Sequence, residues 1–240
     1  MQIYETDYSI KSYDVDLNKK LKLSRLFHCF QEAAYQHASV LNLGYQDLIK
    51  DNLFWVLARL KVNFVRLPEW NEKVKIKTWP KAAHRLFAYR DFQIYDEQQK
   101  NIIQATSSWL VVNVDTKRPV RINRNLDNFK PEIEKNALDT KLKKVQIPDN
   151  ISRSEQRTVK YSDIDLNNHV NNAIYLDWLT DSLGIKIFEK HSIKSIAVNF
   201  QKETGYNDNI TIFKTRNDDR IYSLFQKNDQ DIFRARLELV

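Results

Sequence analysis

The side chains best suited to chemistry lie in the second half of this 240-residue chain, in Asp165-Leu-Asn167-Asn-His169-Val-Asn-Asn-Ala-Ile-Tyr175, with Glu203 further on. A carboxylate and an imidazole within reach of each other can activate water. Glu203 is a candidate general base, provided that partial burial raises its pKa from a reference near ~4.3. His169 could polarise the water or hydrogen-bond that carboxylate, and Asp165 could fix the imidazole tautomer. Asn167 offers an amide donor to a reacting carbonyl. A helix beginning near Val170 would add free backbone N–H groups where an oxyanion develops. A thiolate leaving group, whose thiol has a pKa near ~8.5, would need little help from an acid.

Each member also has a plainer reading. Asp and Asn ahead of a helix are commonly N-caps. A lone His169 would serve as a structural hydrogen-bonder, and a lone Glu203 as a solvated charge at a strand end. The cluster is better evidence than its members. Other candidates are weaker. Cys29 falls inside a predicted helix beside His28 and reads as core rather than nucleophile. His28, His37, His84 and His191 lack metal-ligand spacing, so no metal site is expected. Three glycines, with no G-x-G-x-x-G or G-x-x-x-x-G-K, argue against dinucleotide and P-loop chemistry, and no cofactor is expected.

The elements that must position these residues occur twice. Asp-(Val/Ile)-Asp-Leu-Asn appears at Asp14 to Asn18 and again at Asp163 to Asn167. Each copy leads into a helical stretch, about 24–43 with Leu26, Phe30, Ala33, Ala34, His37 and Leu41 near helical spacing, and about 170–188 with Ile174, Trp178 and Leu183. Both stretches pass through Leu-Gly, at Leu43-Gly44 and Leu183-Gly184. Strand-like segments follow, at about 54–66, 73–79, 85–95 and 102–114, then at about 193–202, 209–214, 220–227 and 232–239. Alternation in Val74-Lys-Ile-Lys-Thr-Trp79 and Phe233-Arg-Ala-Arg-Leu-Glu-Leu239 predicts half-buried antiparallel strands. Val-Asn-Phe recurs at Val62 and Val198, in the first long strand of each half. Several echoes in one order point to an internal duplication.

The copies differ where chemistry would sit. Lys20 takes the place of His169, and Leu67 takes the place of Glu203, counting from the shared Val-Asn-Phe. One equipped site and one retired site would look like this.

Composition narrows the class. An apolar fraction of 42% supports a real core rather than disorder. The single cysteine fits a reducing compartment. The N-terminus, MQIYETDYSI, lacks a secretory pattern and the apolar runs are short, so a cytoplasmic protein without a membrane span is expected. Lys and Arg exceed Asp and Glu by 38 to 31, which favours acidic partners through steering but does not choose among them. The stretch Lys117-Arg-Pro-Val-Arg121-Ile-Asn-Arg124 is the best local basic patch, a surface charge run by default. Aromatic residues at strand spacing read as core rather than as a base-stacking platform, and no nucleic-acid partner is expected.

From His169 outward the chain resembles the acyl-acyl carrier protein thioesterases. The pattern Asp165-x-Asn167-x-His169-Val-Asn-Asn-x-x-Tyr175 with Glu203 is similar to their active-site signature. Trp55-Val-Leu-Ala-Arg59, Thr78-Trp79, Arg90-Asp91-Phe92 and Ala105-Thr-Ser-Ser-Trp109 also resemble family segments. The resemblance spans essentially the whole chain. It implies an α+β tandem hotdog, each unit a long helix against a curved antiparallel sheet, the two packed as a pseudo-dimer. It implies an N-terminal hotdog over 1–125 that holds the acyl chain, a linker over 126–150, and a C-terminal hotdog over 151–240 carrying Asp165, Asn167, His169 and Glu203 as catalytic positions. The expected reaction is hydrolysis of fatty acyl-acyl carrier protein to free fatty acid, terminating fatty acid synthesis. The expected partner is an acyl carrier protein with its phosphopantetheine-linked acyl chain, and a homodimer is a permitted further assembly. An acyl-coenzyme A thioesterase and a non-catalytic acyl-binding module are the alternatives. Plant members carry a cysteine directly after the glutamate; here that position is Thr204, so a thiol nucleophile is not required.

Overall fold

The computed structural model describes residues 3–122 and 135–240. The chain divides into two compact units, Met1–Leu21 with His28–Leu142 and Lys22–Phe27 with Lys143–Val240. In the first unit five antiparallel strands follow the order β1-β3-β4-β5-β2, with β1 at Tyr4–Ser9, β2 at Leu53–Phe64, β3 at Lys73–His84, β4 at Phe87–Tyr95 and β5 at Asn101–Asn113. A two-residue strand, β6 at Pro119–Val120, adds to β5. The second unit repeats that order as β7-β9-β10-β11-β8, with β7 at Ser152–Thr158, β8 at Ile193–Phe200, β9 at Asn209–Asn217, β10 at Arg220–Lys227 and β11 at Gln230–Leu239. The eight principal strands expected from alternation are all present. The outer strands β1 and β7 were not anticipated: YETDYS and SRSEQRT are charged and poorly buried, as strands at a sheet edge commonly are.

Helix α1 runs over Leu23–Val40, and its part from His28 onward packs on the sheet of the first unit. Its buried stripe of Leu26, Phe27, Phe30, Ala33, Ala34 and His37 recurs at helical spacing. Phe30 stacks on Phe92 of β4 at 4.5 Å between ring centroids, and His37 stacks on Tyr4 of β1 at 5.8 Å. The helix stops three residues before the expected position. Asn42 adopts a left-handed conformation (φ 56°), while Leu43 N–H bonds back to the Ala38 carbonyl and Asn42 N–H to that of Ser39. These are the two bonds of a Schellman ending, with asparagine at the left-handed position. A four-residue helix, α2 at Tyr45–Leu48, follows.

The second unit breaks its helix in two, α3 at Ile174–Leu183 and α4 at Ile185–Lys190. Tyr175 and Trp178 of α3 pack into a cluster with Phe200, Phe225 and Phe233 from the sheet. Fully burying a side chain such as Phe225 or Phe233 contributes roughly 1.5–3 kcal/mol of burial free energy.

The shared Leu-Gly pair serves two different ends. At Gly44 a Cβ would meet Ser39 Oγ at 2.6 Å, so the residue is small because the chain passes close by. At Gly184 nothing lies within 4 Å of an added Cβ, but φ is 75° and ψ is 161°, a region open essentially to glycine alone.

The stretch expected as a linker is partly outside the described residues, at 126–134. The remainder forms no helix or strand, yet it is strapped down rather than loose. Ala137 N–H donates to Asp91 Oδ2 at 2.6 Å, Trp79 Nε1 donates to the Lys135 carbonyl at 2.9 Å, and Arg59 donates to that of Leu142 at 2.8 Å. In the second unit, Val145 N–H donates to Asn199 Oδ1 at 2.6 Å. Asp91 is fully buried, and burial pushes its carboxyl upward even with Lys81 Nζ 3.1 Å away.

Replacing Gly184 with alanine isolates backbone strain from packing. We expect Gly184→Ala to lower unfolding free energy by roughly 1–3 kcal/mol in denaturant titration. Stability equal to wild type would show that the break between α3 and α4 relaxes at no cost.

Candidate active site

The site is built on a turn that both units make in the same way. In the second unit Ile164 and Val170 form a bridge, Asp165 N–H donates to the His169 carbonyl at 2.8 Å, and Asn168 N–H donates to that of Asp165. Asn168 supplies the left-handed residue at φ 61°. Asp165 Oδ1 accepts the Asn167 N–H at 2.8 Å. In the first unit Val15 and Leu21 bridge, Asp16 N–H donates to the Lys20 carbonyl, Lys19 is left-handed at φ 60°, and Asp16 Oδ1 accepts from Asn18 N–H at 2.8 Å. An aspartate tying down the backbone two residues on is the ordinary Asx turn.

That parallel bears on Asp165. Asp165 bonds to the backbone of its own turn, as Asp16 does where no histidine follows, so the bond it makes here shapes the loop. Asn167 enters the same turn through its N–H and lies exposed.

His169 and Glu203 do come together. Nε2 of the imidazole lies 3.1 Å from Glu203 Oε2. The side chains are 30% and 39% exposed, so both are partly covered and both reach solvent. Their meeting follows from one backbone bond. Val170 N–H donates to the Thr204 carbonyl at 2.9 Å, which brings the residues just before each of them side by side. In the first unit Leu21 N–H donates to the Pro68 carbonyl, also at 2.9 Å. Lys20 and Leu67 flank that bond where His169 and Glu203 flank the other, so the structure pairs the positions that the sequence echo had matched.

The expected helix start near Val170 also changes. Helix α3 begins at Ile174, after a turn. Three of the intervening N–H groups are engaged: Asn171 N–H donates to the Asp163 carbonyl, Ala173 N–H to Asn171 Oδ1 and Ile174 N–H to the Asn171 carbonyl. The Asn171 side chain closes the turn that leads into the helix, and these three groups are not a ready oxyanion site.

Two contacts were not anticipated. The Tyr175 hydroxyl on α3 hydrogen-bonds to Thr204 Oγ1, with both residues buried. Burial among aromatic rings drives the Tyr175 phenol well above its ordinary pKa, so it remains protonated. Behind Glu203, Asp208 Oδ2 accepts from Gly205 N–H at 2.7 Å and from Lys227 Nζ at 2.6 Å. Burial alone would raise the Asp208 carboxyl, but those two donors outweigh it and hold the pKa below its usual value. Nothing in residue spacing shows either contact, because both partners meet only through the fold.

Among the described residues no group of three or more His, Cys, Asp or Glu is arranged to hold a metal ion, and no helix is long and apolar enough to cross a membrane. Of the basic patch, Lys117 Nζ sits 5.4 Å over the Phe54 ring, and Arg124 falls outside the described residues.

Comparison with known proteins places the fold in the tandem-hotdog class. The acyl-ACP thioesterase N-terminal domain matches residues 1–128, and the acyl-ACP thioesterase C-terminal domain matches residues 146–240; the chain belongs to the acyl-ACP thioesterase family. It is similar to an acyl-ACP thioesterase from Bacteroides thetaiotaomicron, with 26% identity, a TM-score of 0.91, and coverage of 99% of this chain and 98% of that one. The fold is shared with a 12:0-ACP thioesterase from Umbellularia californica at a TM-score of 0.87, 24% identity, and coverage of 99% and 97%. Among curated relatives, a chloroplastic palmitoyl-acyl carrier protein thioesterase of Gossypium hirsutum is 26% identical over 97% of this chain and 60% of its own length. A chloroplastic oleoyl-acyl carrier protein thioesterase of Arabidopsis thaliana is 28% identical over 85% of this chain and 60% of its own. The chain thus spans about 60% of the length of these relatives.

The depressed Asp208 carboxyl has a consequence for stability. A group whose folded pKa lies below its unfolded value stabilises above that unfolded value, near ~3.9, and the contribution fades as pH falls through the folded pKa. Asp208→Asn should therefore lower Tm at pH 7, and the gap from wild type should close on acidification. A gap that stays constant to pH ~2.5 would contradict the assignment.

Proposed function

We propose that this protein hydrolyses fatty acyl-acyl carrier protein thioesters to free fatty acid and carrier protein, at a site formed by His169 and Glu203. The observation that carries this reading is the 3.1 Å pairing of His169 Nε2 with Glu203 Oε2 in the unit that alone has both side chains. With Nε2 protonated, His169 donates to one carboxylate oxygen of Glu203 and fixes the group's orientation. Glu203 takes a proton from water as the water oxygen forms its bond to the thioester carbonyl carbon. Collapse of the tetrahedral intermediate breaks the carbon–sulfur bond, and the thiolate leaves and receives that proton. Asp165 contributes by holding the turn that presents His169, and Asn167 by offering its exposed amide to the carbonyl oxygen.

The first unit makes the same turn with Lys20 and Leu67 and has no counterpart of the pair. Its part in this reading is to accommodate the acyl chain, because the interior of the second unit under α3 is filled by Tyr175, Trp178, Phe225 and Phe233. A net charge of +7 supports an acidic carrier as partner through electrostatic steering. A cytoplasmic setting belongs to the same reading, supported by the single cysteine, Cys29.

The asymmetry of the duplication supplies the test. His169→Ala should reduce turnover on acyl-carrier substrate by about 10²–10⁴-fold at unchanged folding, the range typical of losing a positioned acid–base group. Lys20→Ala should leave turnover within about three-fold, because only its backbone takes part in the turn. Equal losses from the two substitutions would contradict a single site in the second unit.

A further inference from the structure

The two turns share a backbone frame but are fastened differently from behind. The Thr204 carbonyl accepts from Val170 N–H, and its hydroxyl bonds to the Tyr175 hydroxyl on α3. In the first unit the matching carbonyl belongs to Pro68, which has no hydroxyl, and the residue at the offset of Tyr175 from the turn is Leu26. The turn there is tied instead by a further backbone bond, from Trp70 N–H to the Lys19 carbonyl at 2.9 Å. The two units thus fasten the same turn by different means, and the Tyr–Thr pair occurs in the unit that also has His169 and Glu203.

Thr204 sits directly after Glu203 and, through its carbonyl, beside the residue that follows His169. It is 1% exposed, whereas the Glu203 side chain is 39% exposed. Tyr175 is 3% exposed, and its ring is packed at 5.2–5.7 Å from Trp178, Phe200 and Phe233. An exposed glutamate on the segment that leaves β8 has little of its own to hold it. A hydroxyl anchored in a rigid aromatic cluster one residue away does have that capacity, and catalytic groups need placement to within about 0.5 Å.

We propose that Tyr175 and Thr204 are positioning residues, whose hydroxyl pair locks the Glu203 segment against α3 and so keeps Glu203 in register with His169. This rests on the reading of His169 and Glu203 as the hydrolytic pair. Neither hydroxyl is assigned a direct part in the reaction. Tyr175 in particular stays protonated within the aromatic cluster.

The test separates rate from stability. Tyr175→Phe and Thr204→Val each delete one hydroxyl with little change of shape and leave the other buried without its bond, so each should lower Tm. The double variant places apolar groups on both sides, which restores stability when both partners of a buried bond are replaced. If the pair positions Glu203, kcat on acyl-carrier substrate should fall about ten- to a hundred-fold in both single variants and stay low in the double, with KM within about two-fold. Thr204→Ser should retain near-wild-type kcat. A double variant that regains kcat along with Tm, or one whose kcat never fell, would overturn the proposal and leave the bond a structural one. His169→Ala in the same assay separates the levels: its loss of activity beside a fast double variant defeats the positioning role alone, whereas a fully active His169→Ala defeats the hydrolytic pair beneath it. Should a single variant fail to accumulate folded, the double variant still decides the question.

Discussion

One backbone hydrogen bond, from Val170 N–H to the Thr204 carbonyl, governs the geometry of the site. It joins the segment after the Asx turn to the segment leaving β8, and the residues immediately before its two ends are His169 and Glu203. A bond of this kind contributes on the order of 1 kcal/mol to stability. Its larger effect is positional, because it fixes two side chains from distant parts of the chain at 3.1 Å. Asp165 supports it from one side by tying down the turn, and Asp208 from the other by holding Gly205 and drawing in Lys227.

The first unit shows what this scaffold is without chemistry. The bond from Leu21 to Pro68, the aspartate at 16 and the left-handed residue at 19 reproduce the frame closely. Glu72 even takes the place of Asp208: it accepts from Glu69 N–H at 2.9 Å, and the Arg66 guanidinium beside it holds its carboxyl below the usual range. A turn that closes through its own backbone and a short carboxylate tolerates any side chain at the exposed flanking positions. Duplication of such a unit leaves one copy at liberty to lose the reactive residues while retaining its fold.

Much of this was legible in residue order. The Asp-x-Asp-Leu-Asn echo is visible because an Asx turn is a local device, and the two strand sets are visible because their faces alternate. The absence of His and Glu from the first copy could be counted directly. What escaped was whatever depends on partners distant in sequence. Strands β1 and β7 hide because an outer strand with charged residues alternates weakly. The start of α3 lies at Ile174 rather than Val170, since the Val170 N–H is held by the Thr204 carbonyl and the Asn171 side chain closes a turn before the helix. Asp165 reads equally well as a loop cap or as a partner of histidine, and the matching bond at Asp16 shows that the loop bond does not depend on a histidine. Tyr175 and Thr204 were both visible in the motif, but nothing in the spacing indicated that their hydroxyls meet.

The central claim is that Glu203, held by His169, activates water against a carrier-bound thioester. The most direct measurement is free fatty acid release from a panel of acyl-carrier and acyl-coenzyme A substrates, with wild type beside Glu203→Ala. The account predicts release by wild type that is faster from the carrier substrates and is lost in the variant while its fold is kept. Undiminished release by Glu203→Ala, or no release by wild type from any substrate, would contradict it.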